Sequence, residues 1–160
     1  MNIPEGYLNG EIRDGFYVES TMKKAWAAEI EVLNEVDRIC RQHDIQYFAD
    51  WGTLLGTIRH KGFVPWDDDM DITMKREDYT RFCQIVRQEQ GELEIINFHT
   101  DPEWKDMLSR VINGRSVNYT EAHLDKYHGF PYVAGLDIFP LDYVAPTEDE
   151  DKIHCSMISI

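Results

Sequence analysis

The order of periodic segments in this 160-residue chain predicts an α+β domain in which helices pack against one mixed sheet. Two long segments, 22–43 and 76–90, repeat apolar residues at the spacing of an amphipathic helix. Short apolar runs bounded by glycine, proline or asparagine are typical of strands, and most of them follow the second long helix. Helices followed by a run of strands favour the α+β class over a regularly alternating fold.

The individual elements follow from the same two periodicities and from the residues that interrupt them. Glycine and proline end helices, and the pair Asn113–Gly114 is typical of a tight turn between paired strands. In chain order we expect an arm over 1–19, a helix over 22–43, a buried strand over 45–50, a helix over 53–60, a half-buried strand over 69–74, a helix over 76–90, a strand over 92–98, a hairpin over 107–124 and a strand over 130–144.

The charge balance narrows the classes of partner. The chain carries 16 basic and 30 acidic residues, a formal net charge of −14, and the basic residues are scattered. This distribution argues against a nucleic-acid-binding protein and against docking on anionic lipid. No apolar stretch is long enough to span a membrane, and three cysteines without CxxC spacing are typical of a reducing compartment.

The densest acidic segment, FVPWDDDMDI over 63–72, also contains apolar residues at regular positions. If 69–73 is a strand, Asp69 and Asp71 share one face while Met70 and Ile72 point into the core. Two neighbouring carboxylates repel each other unless a hard cation such as Mg²⁺ or Mn²⁺ lies between them. Asp137, inside the apolar run GLDIFPL, is the expected third carboxylate, because an unpaired buried aspartate is costly.

The acidic segment is also compatible with other interpretations. An exposed acidic turn is the simplest alternative, and Asp142 competes with Asp137 as the third acid although it follows Pro140. An EF-hand calcium loop starting at Asp67 is excluded, because its sixth position is Ile72 where that loop requires glycine.

A second group of residues predicts an anion site. Gly52 and Thr53 lie at a predicted strand-to-helix junction, where backbone N–H groups and a hydroxyl can bind a phosphate. Arg59 and Lys61 follow them as positive residues between this turn and the carboxylates. Two weaker candidates for phosphate or substrate contact are Arg110 and His128, each with a structural role as its alternative.

The order of these features resembles the nucleotidyltransferase superfold of DNA polymerase beta. More specifically, YFADWGTLLGTIRHKGFVPWDDDMDITMKREDYTRF over 47–82 resembles the first signature of the LicD family, phosphocholine transferases related to fukutin. The segments HGF (128–130) and GLDIFPLD (135–142) resemble the family's second signature. The resemblance implies that Asp69, Asp71 and Asp137 hold the metal and that Gly52–Thr53 is the phosphate turn.

The resemblance also implies a function. A Mg²⁺- or Mn²⁺-dependent transferase would move phosphocholine, or a related phospho-alcohol, from a CDP-choline-like donor to a sugar hydroxyl. The acceptor would be a cell-surface glycan such as lipopolysaccharide or teichoic acid. The alternatives are a nucleotidyltransferase that moves NMP to a small molecule or protein, and an inactive domain that binds nucleotide or partners.

The resemblance extends to domain organisation and location. It covers a domain over 20–145, between the arm 1–19 and an acidic tail over 146–160. Family members run well past the second signature, which implies further chain beyond the tail and favours self-association through uncovered apolar surface. The acidic, non-hydrophobic composition favours a cytoplasmic protein, which would meet lipid-linked acceptors beside the inner face of the membrane.

Overall fold

The computed structural model describes residues 2–89 and 91–158 and shows a mixed α+β architecture. A five-stranded sheet forms its centre, and a separate two-stranded hairpin precedes the first helix. The elements in chain order are β1 (Glu11–Arg13), β2 (Phe16–Val18), α1 (Ser20–Gln42), β3 (Phe48–Ala49), α2 (Trp51–Arg59), β4 (Asp71–Lys75), α3 (Arg76–Gln88), β5 (Glu94–Ile96), β6 (Ser109–Ile112), α4 (Glu121–Lys126), β7 (Gly135–Leu141) and α5 (Glu148–Ile158).

The sheet order is β3-β4-β7-β6-β5, and β4 and β7 run parallel while the other neighbours are antiparallel. The register pairs Asp71 on β4 with Asp137 on β7, and it pairs Asp137 with Arg110 on β6. Residues opposite each other in a sheet point to the same face. The sheet therefore carries a row of two acids and one base across three adjacent strands.

The opposite face of the sheet forms the core. Ile72 and Ile138, which are also paired in register, are buried with Met74 and Leu136. The long helix α1 contributes one apolar stripe to this core, and α3 contributes a second. Side chains alternate along a strand, so burying the even-numbered residues of β4 and β7 directs their aspartates to the other face.

The predicted hairpin over 107–124 is wrong in its second half. Residues 109–112 form β6, but both edges of β6 are occupied by β5 and β7, which leaves no edge for a following strand. Asn113 instead pairs with Ala134: its N–H donates to the Ala134 carbonyl, and its side-chain oxygen accepts from the Ala134 N–H. The chain after Gly114 then leads into helix α4 rather than into a strand.

The structure also differs from the sequence predictions in the segments 45–50 and 1–19. The strand predicted over 45–50 shrinks to β3, which lies at the sheet edge with Phe48 44% exposed, so the prediction of a buried strand is wrong. Within the segment predicted as an arm, β1 and β2 form a hairpin whose Glu11 accepts from the buried Lys23 ammonium at 2.6 Å. Among the helices of the described residues, none has the length and apolar content needed to cross a membrane.

Candidate active site

An acidic loop, Asp67–Asp69, leads into β4 and is held in place by helix α1. The fully buried Trp26 donates its indole N–H to the Asp67 carbonyl at 2.9 Å and stacks on Phe63 at 4.7 Å between ring centroids. Carboxylate oxygens of the three loop aspartates lie within 4.8 Å of one another. The helix therefore fixes the backbone of a segment whose side chains carry closely spaced negative charge.

The next two carboxylates, Asp71 and Asp137, are nearest neighbours on parallel strands. Neighbouring strands lie about 4.8 Å apart, so the two side chains extend side by side from one face. Arg110 binds Asp137 through two hydrogen bonds, at 2.6 Å from Nε to Oδ1 and 2.7 Å from Nη2 to Oδ2. Each carboxylate oxygen offers two lone pairs, so Asp137 keeps acceptor capacity on both oxygens for another ligand.

Mutual repulsion marks Asp69, Asp71 and Asp137 as one electrostatic cluster. Burial raises the pKa of Asp69, and the charges of Asp67, Asp68 and Asp137 raise it further. Burial, followed by the charges of Asp69 and Asp137, raises the pKa of Asp71 to about 6. Carboxylate oxygens of this kind are the ligands that Mg²⁺ and Mn²⁺ prefer, and a divalent cation relieves their repulsion. The chemistry of these donors therefore fits the expected metal, but of the three only Asp69 belongs to the group of described carboxylates whose oxygens lie within 4.8 Å of one another.

The first turn of α2 approaches these acids closely. Asp50 caps the helix by accepting from the Trp51 N–H at 2.9 Å, and Trp51 takes a left-handed backbone conformation with φ of 44°. The Thr53 hydroxyl accepts from the Asp71 N–H at 2.7 Å, and the nearby Gly52 N–H lowers the pKa of the Asp71 carboxyl. A Cβ at Gly52 would meet the Asp67 carboxylate, so a larger residue there would require that side chain to move.

The remaining predicted residues separate into two groups. Lys61 lines a cavity with Gly52 and Thr53 and donates to the Ile58 carbonyl at 3.1 Å. Arg59 instead donates to His60 on the exposed side of α2, at 2.9 Å. His128 lies 2.8 Å from Glu31 of helix α1 and is not among the residues that line the cavities around the acidic loop.

The competing acid Asp142 lies apart from the aspartate cluster. Its two oxygens accept from the Arg76 guanidinium, at 2.6 Å from Nε and 2.5 Å from Nη2. This pair is partly exposed at the far end of β7, and the charged neighbour of Asp142 is therefore an arginine, not a second acid. The structure thus favours Asp137 over Asp142 as the third member of the cluster.

A family model described as "LicD/FKTN/FKRP, nucleotidyltransferase domain" matches residues 44–151, which is about two thirds of the chain and includes the acidic loop, α2 and β7. The chain belongs to the LicD family. The earlier resemblance to this family is confirmed.

Individual relatives match a shorter segment. The chain is 40% identical over 72 residues, 45% of its length, to the lipopolysaccharide cholinephosphotransferase LicD of Haemophilus influenzae. Over 58 residues, 36% of its length, it is 38% identical to an uncharacterized protein of Rickettsia typhi and 36% identical to one of Rickettsia prowazekii. The matched segments cover 27%, 19% and 22% of these relatives, so the chain spans well under a third of the length of each.

Three cavities meet at the acidic loop of this LicD-family domain. The first, about 310 Å³, is lined by Gly52, Thr53 and Lys61 together with Arg13 and the loop acids Asp67 and Asp69. The second, about 560 Å³, lies between the β1–β2 hairpin, the start of α1 and residues 130–133. The third, about 330 Å³, contains Arg110 and Asp137. Asp69 lines the first and third cavities, and Asp68 lines the second and third.

Glu29 of α1 is a residue of this site that the sequence interpretation missed. Its side chain is 6% exposed and lines both the second and third cavities, and its Oε2 has no hydrogen-bond partner among the described residues. Burial, followed by the charges of the loop aspartates, raises the pKa of Glu29 to about 9. Helical periodicity could have identified Glu29 as a buried acid, because it lies three residues after Trp26 and three before Val32 on the buried stripe of α1.

Proposed function

We propose that this LicD-family domain transfers phosphocholine, or a related phospho-alcohol, from a CDP-linked donor to a sugar hydroxyl of a cell-surface glycan. The observation that carries the proposal is the convergence of Asp69, Asp71 and Asp137 beside the first turn of α2. The similarity to a relative named as a lipopolysaccharide cholinephosphotransferase supports the choice of donor and acceptor.

The proposed reaction is a displacement at phosphorus. The acceptor hydroxyl oxygen forms a bond to the phosphorus that carries choline, and the bond from that phosphorus to the CMP oxygen breaks with its electron pair. The hydroxyl proton leaves to a base or to water, so the products are the phosphocholine ester and CMP. Catalysis of such transfers consists mainly of positioning and of stabilising charge.

Residues of this chain would supply both the positioning and the charge stabilisation. Asp69, Asp71 and Asp137 would hold Mg²⁺ or Mn²⁺, which neutralises charge on the diphosphate when bound. Arg110 holds Asp137 in a fixed orientation through its two hydrogen bonds. In the first cavity, the Lys61 and Arg13 side chains bring positive charge to the same space as the Gly52–Thr53 turn. This cavity is our candidate for the nucleotide side of the donor.

The position of attack tests this function. The chain would be incubated with CDP-choline and Mn²⁺ in water enriched in the heavy isotope of oxygen, and both products would be analysed by mass spectrometry. Because water can replace the sugar hydroxyl, we expect the label in phosphocholine. Label in CMP would instead identify attack on the nucleotide phosphorus and would replace our proposal with nucleotidyl transfer.

Matched variants make the test specific. Asp69→Asn and Asp71→Asn should each abolish labelling of phosphocholine, because each removes a carboxylate of the cluster. Asp142→Asn removes a carboxylate that pairs with Arg76 instead, and it should leave labelling unchanged. Absence of both CDP-choline binding and labelling in the unmodified chain would overturn the proposal.

A further inference from the structure

The second cavity differs from the other two in its lining. Four aromatic rings and three carboxyl groups dominate it, and its described lining residues include no Lys, Arg or His. A phosphate would find no positive partner there, whereas a cation would find both ring faces and acids. The lining comprises Phe16, Tyr17, Val18, Glu19, Thr21, Met22, Ala25, Glu29, Asp68, Phe130, Tyr132 and Val133.

Two of the four rings contact each other in the cavity lining. Phe130 and Tyr132 meet edge to face, with centroids 5.4 Å apart and an angle of 66° between the ring planes. Phe130 is 9% exposed and Tyr132 is 49% exposed, so one ring is packed into the protein while the other remains accessible. Phe16 and Tyr17 line the cavity from the β1–β2 hairpin. Aromatic faces attract cations, and quaternary ammonium groups are commonly recognised by several such rings together.

Glu29 provides an independent indication of a ligand. Its buried side chain lines the cavity, and its Oε2 has no hydrogen-bond partner among the described residues. An unpaired buried polar oxygen is unfavourable unless something else satisfies it. A quaternary ammonium group has no N–H to donate, but its polarised methyl C–H groups can lie against such an oxygen. The Asp68 carboxylate lines the same cavity.

The position of the cavity relates it to the aspartate cluster. Glu29, Asp68 and Val133 line both the second cavity and the third, which contains Asp69 and Asp137. A ligand with a cationic end and a phosphate end can therefore place its cation in the second cavity and its phosphate toward the aspartates. The volume of about 560 Å³ is ample for a small alkylammonium group.

We propose that the second cavity binds the quaternary ammonium end of the donor, the trimethylammonium group of a phosphocholine moiety. Tyr132 and Phe130 contact the methyl groups, the Asp68 carboxylate lies against the positive charge, and the unpaired Glu29 oxygen contacts the methyl C–H groups. This assignment rests on the proposed function for the phosphate end of the ligand. It adds the basis of donor selection, because a neutral polyol such as glycerol has no cation to place among the rings.

Binding measurements on the full chain test this site. Titration calorimetry with Mn²⁺ present would compare CDP-choline, CDP-glycerol and CMP, and NMR would follow the methyl signal of tetramethylammonium chloride. The variant Tyr132→Leu removes an accessible ring, and Tyr119→Leu is the matched control because Tyr119 is exposed and does not line the cavity. We expect Tyr132→Leu to weaken CDP-choline and tetramethylammonium binding about tenfold, as loss of a cation–π contact predicts. CMP and CDP-glycerol binding should not change.

Failure of the site and failure of the function give different results. Equal affinity for CDP-choline and CDP-glycerol, with neither altered by Tyr132→Leu, would overturn the ammonium site and leave the oxygen-labelling result untouched. Tetramethylammonium binding that depends on Tyr132 would support the site even if CDP-choline were not turned over. If Tyr132→Leu and Tyr119→Leu weakened tetramethylammonium binding equally, that result would also overturn the site.

Discussion

Replacing Glu29 by glutamine should make the stability of the domain less dependent on pH. The pKa of Glu29 rises from 4.5 to about 9 because its carboxyl is buried and faces the negative charges of Asp69, Asp68 and Asp67. Between these two pH values the unfolded chain releases the proton while the folded chain retains it. The stabilising contribution is thus fully present below about pH 4.5 and is lost as the pH rises toward 9.

The size of the effect follows from linkage between protonation and folding. One proton retained on folding changes the free energy of unfolding by about 1.4 kcal/mol per pH unit. From about pH 5.5 to about pH 8.5, Glu29 alone should therefore lower the stability of the wild-type chain by up to about 4 kcal/mol. Glutamine does not titrate, so this contribution disappears from Glu29→Gln, and any cost of its amide group is independent of pH.

Urea denaturation in the presence of EDTA can measure the effect at about pH 5.5, 7 and 8.5. Because Asp69 and Asp71 remain in both proteins, the difference in the free energy of unfolding between Glu29→Gln and wild type isolates Glu29 to first order. We expect this difference to grow in favour of the variant as the pH rises, whereas the exposed-loop control Glu103→Gln should show none. A difference that stayed constant across the three pH values would refute our interpretation of Glu29 as a buried acid.

Two further predictions concern the aspartate cluster. Asp69→Asn and Asp71→Asn should each weaken Mn²⁺ binding in titration calorimetry. The metal-free melting temperature should stay level or rise, because each variant removes like-charge repulsion. Unchanged Mn²⁺ affinity in both variants would exclude these residues as ligands. Arg110→Gln should lower the melting temperature in EDTA, since Asp137 loses its positive partner, and Mn²⁺ should raise it by more than in wild type. An equal Mn²⁺ shift in both proteins would argue that the ion does not contact Asp137.

Local sequence signals predicted much of the site. The alternation of acidic and apolar residues placed Asp71 on one face of β4 and buried Ile72 on the other, as the structure shows. The helix starting near Gly52 was likewise predictable, because its signals lie within a few residues of the turn. Elements with strong local periodicity, α1 and α3, appear close to their predicted bounds.

Features that depend on distant contacts were not predictable in this way. The prediction of a hairpin around Asn113–Gly114 was wrong because β5 and β7 occupy both edges of β6. The pairing of Arg110 with Asp137 follows from strand register, which no local pattern specifies. Periodicity put Glu29 on the buried face of α1, but only tertiary structure shows that the acidic loop lies against that face.

The Gly52 N–H lies close enough to the Asp71 carboxylate to lower its pKa, and this proximity has a thermodynamic consequence. One N–H group cannot fully serve two anions, so a phosphate at this amide competes with Asp71. A cation that binds the Asp71 carboxylate would weaken its hold on the amide and release the N–H for the phosphate. Binding of the metal and of the donor would then be mutually cooperative, and linkage requires each to increase the affinity for the other by the same factor. Thr53, which fixes the Asp71 backbone through its hydroxyl, keeps the competing groups within reach of each other.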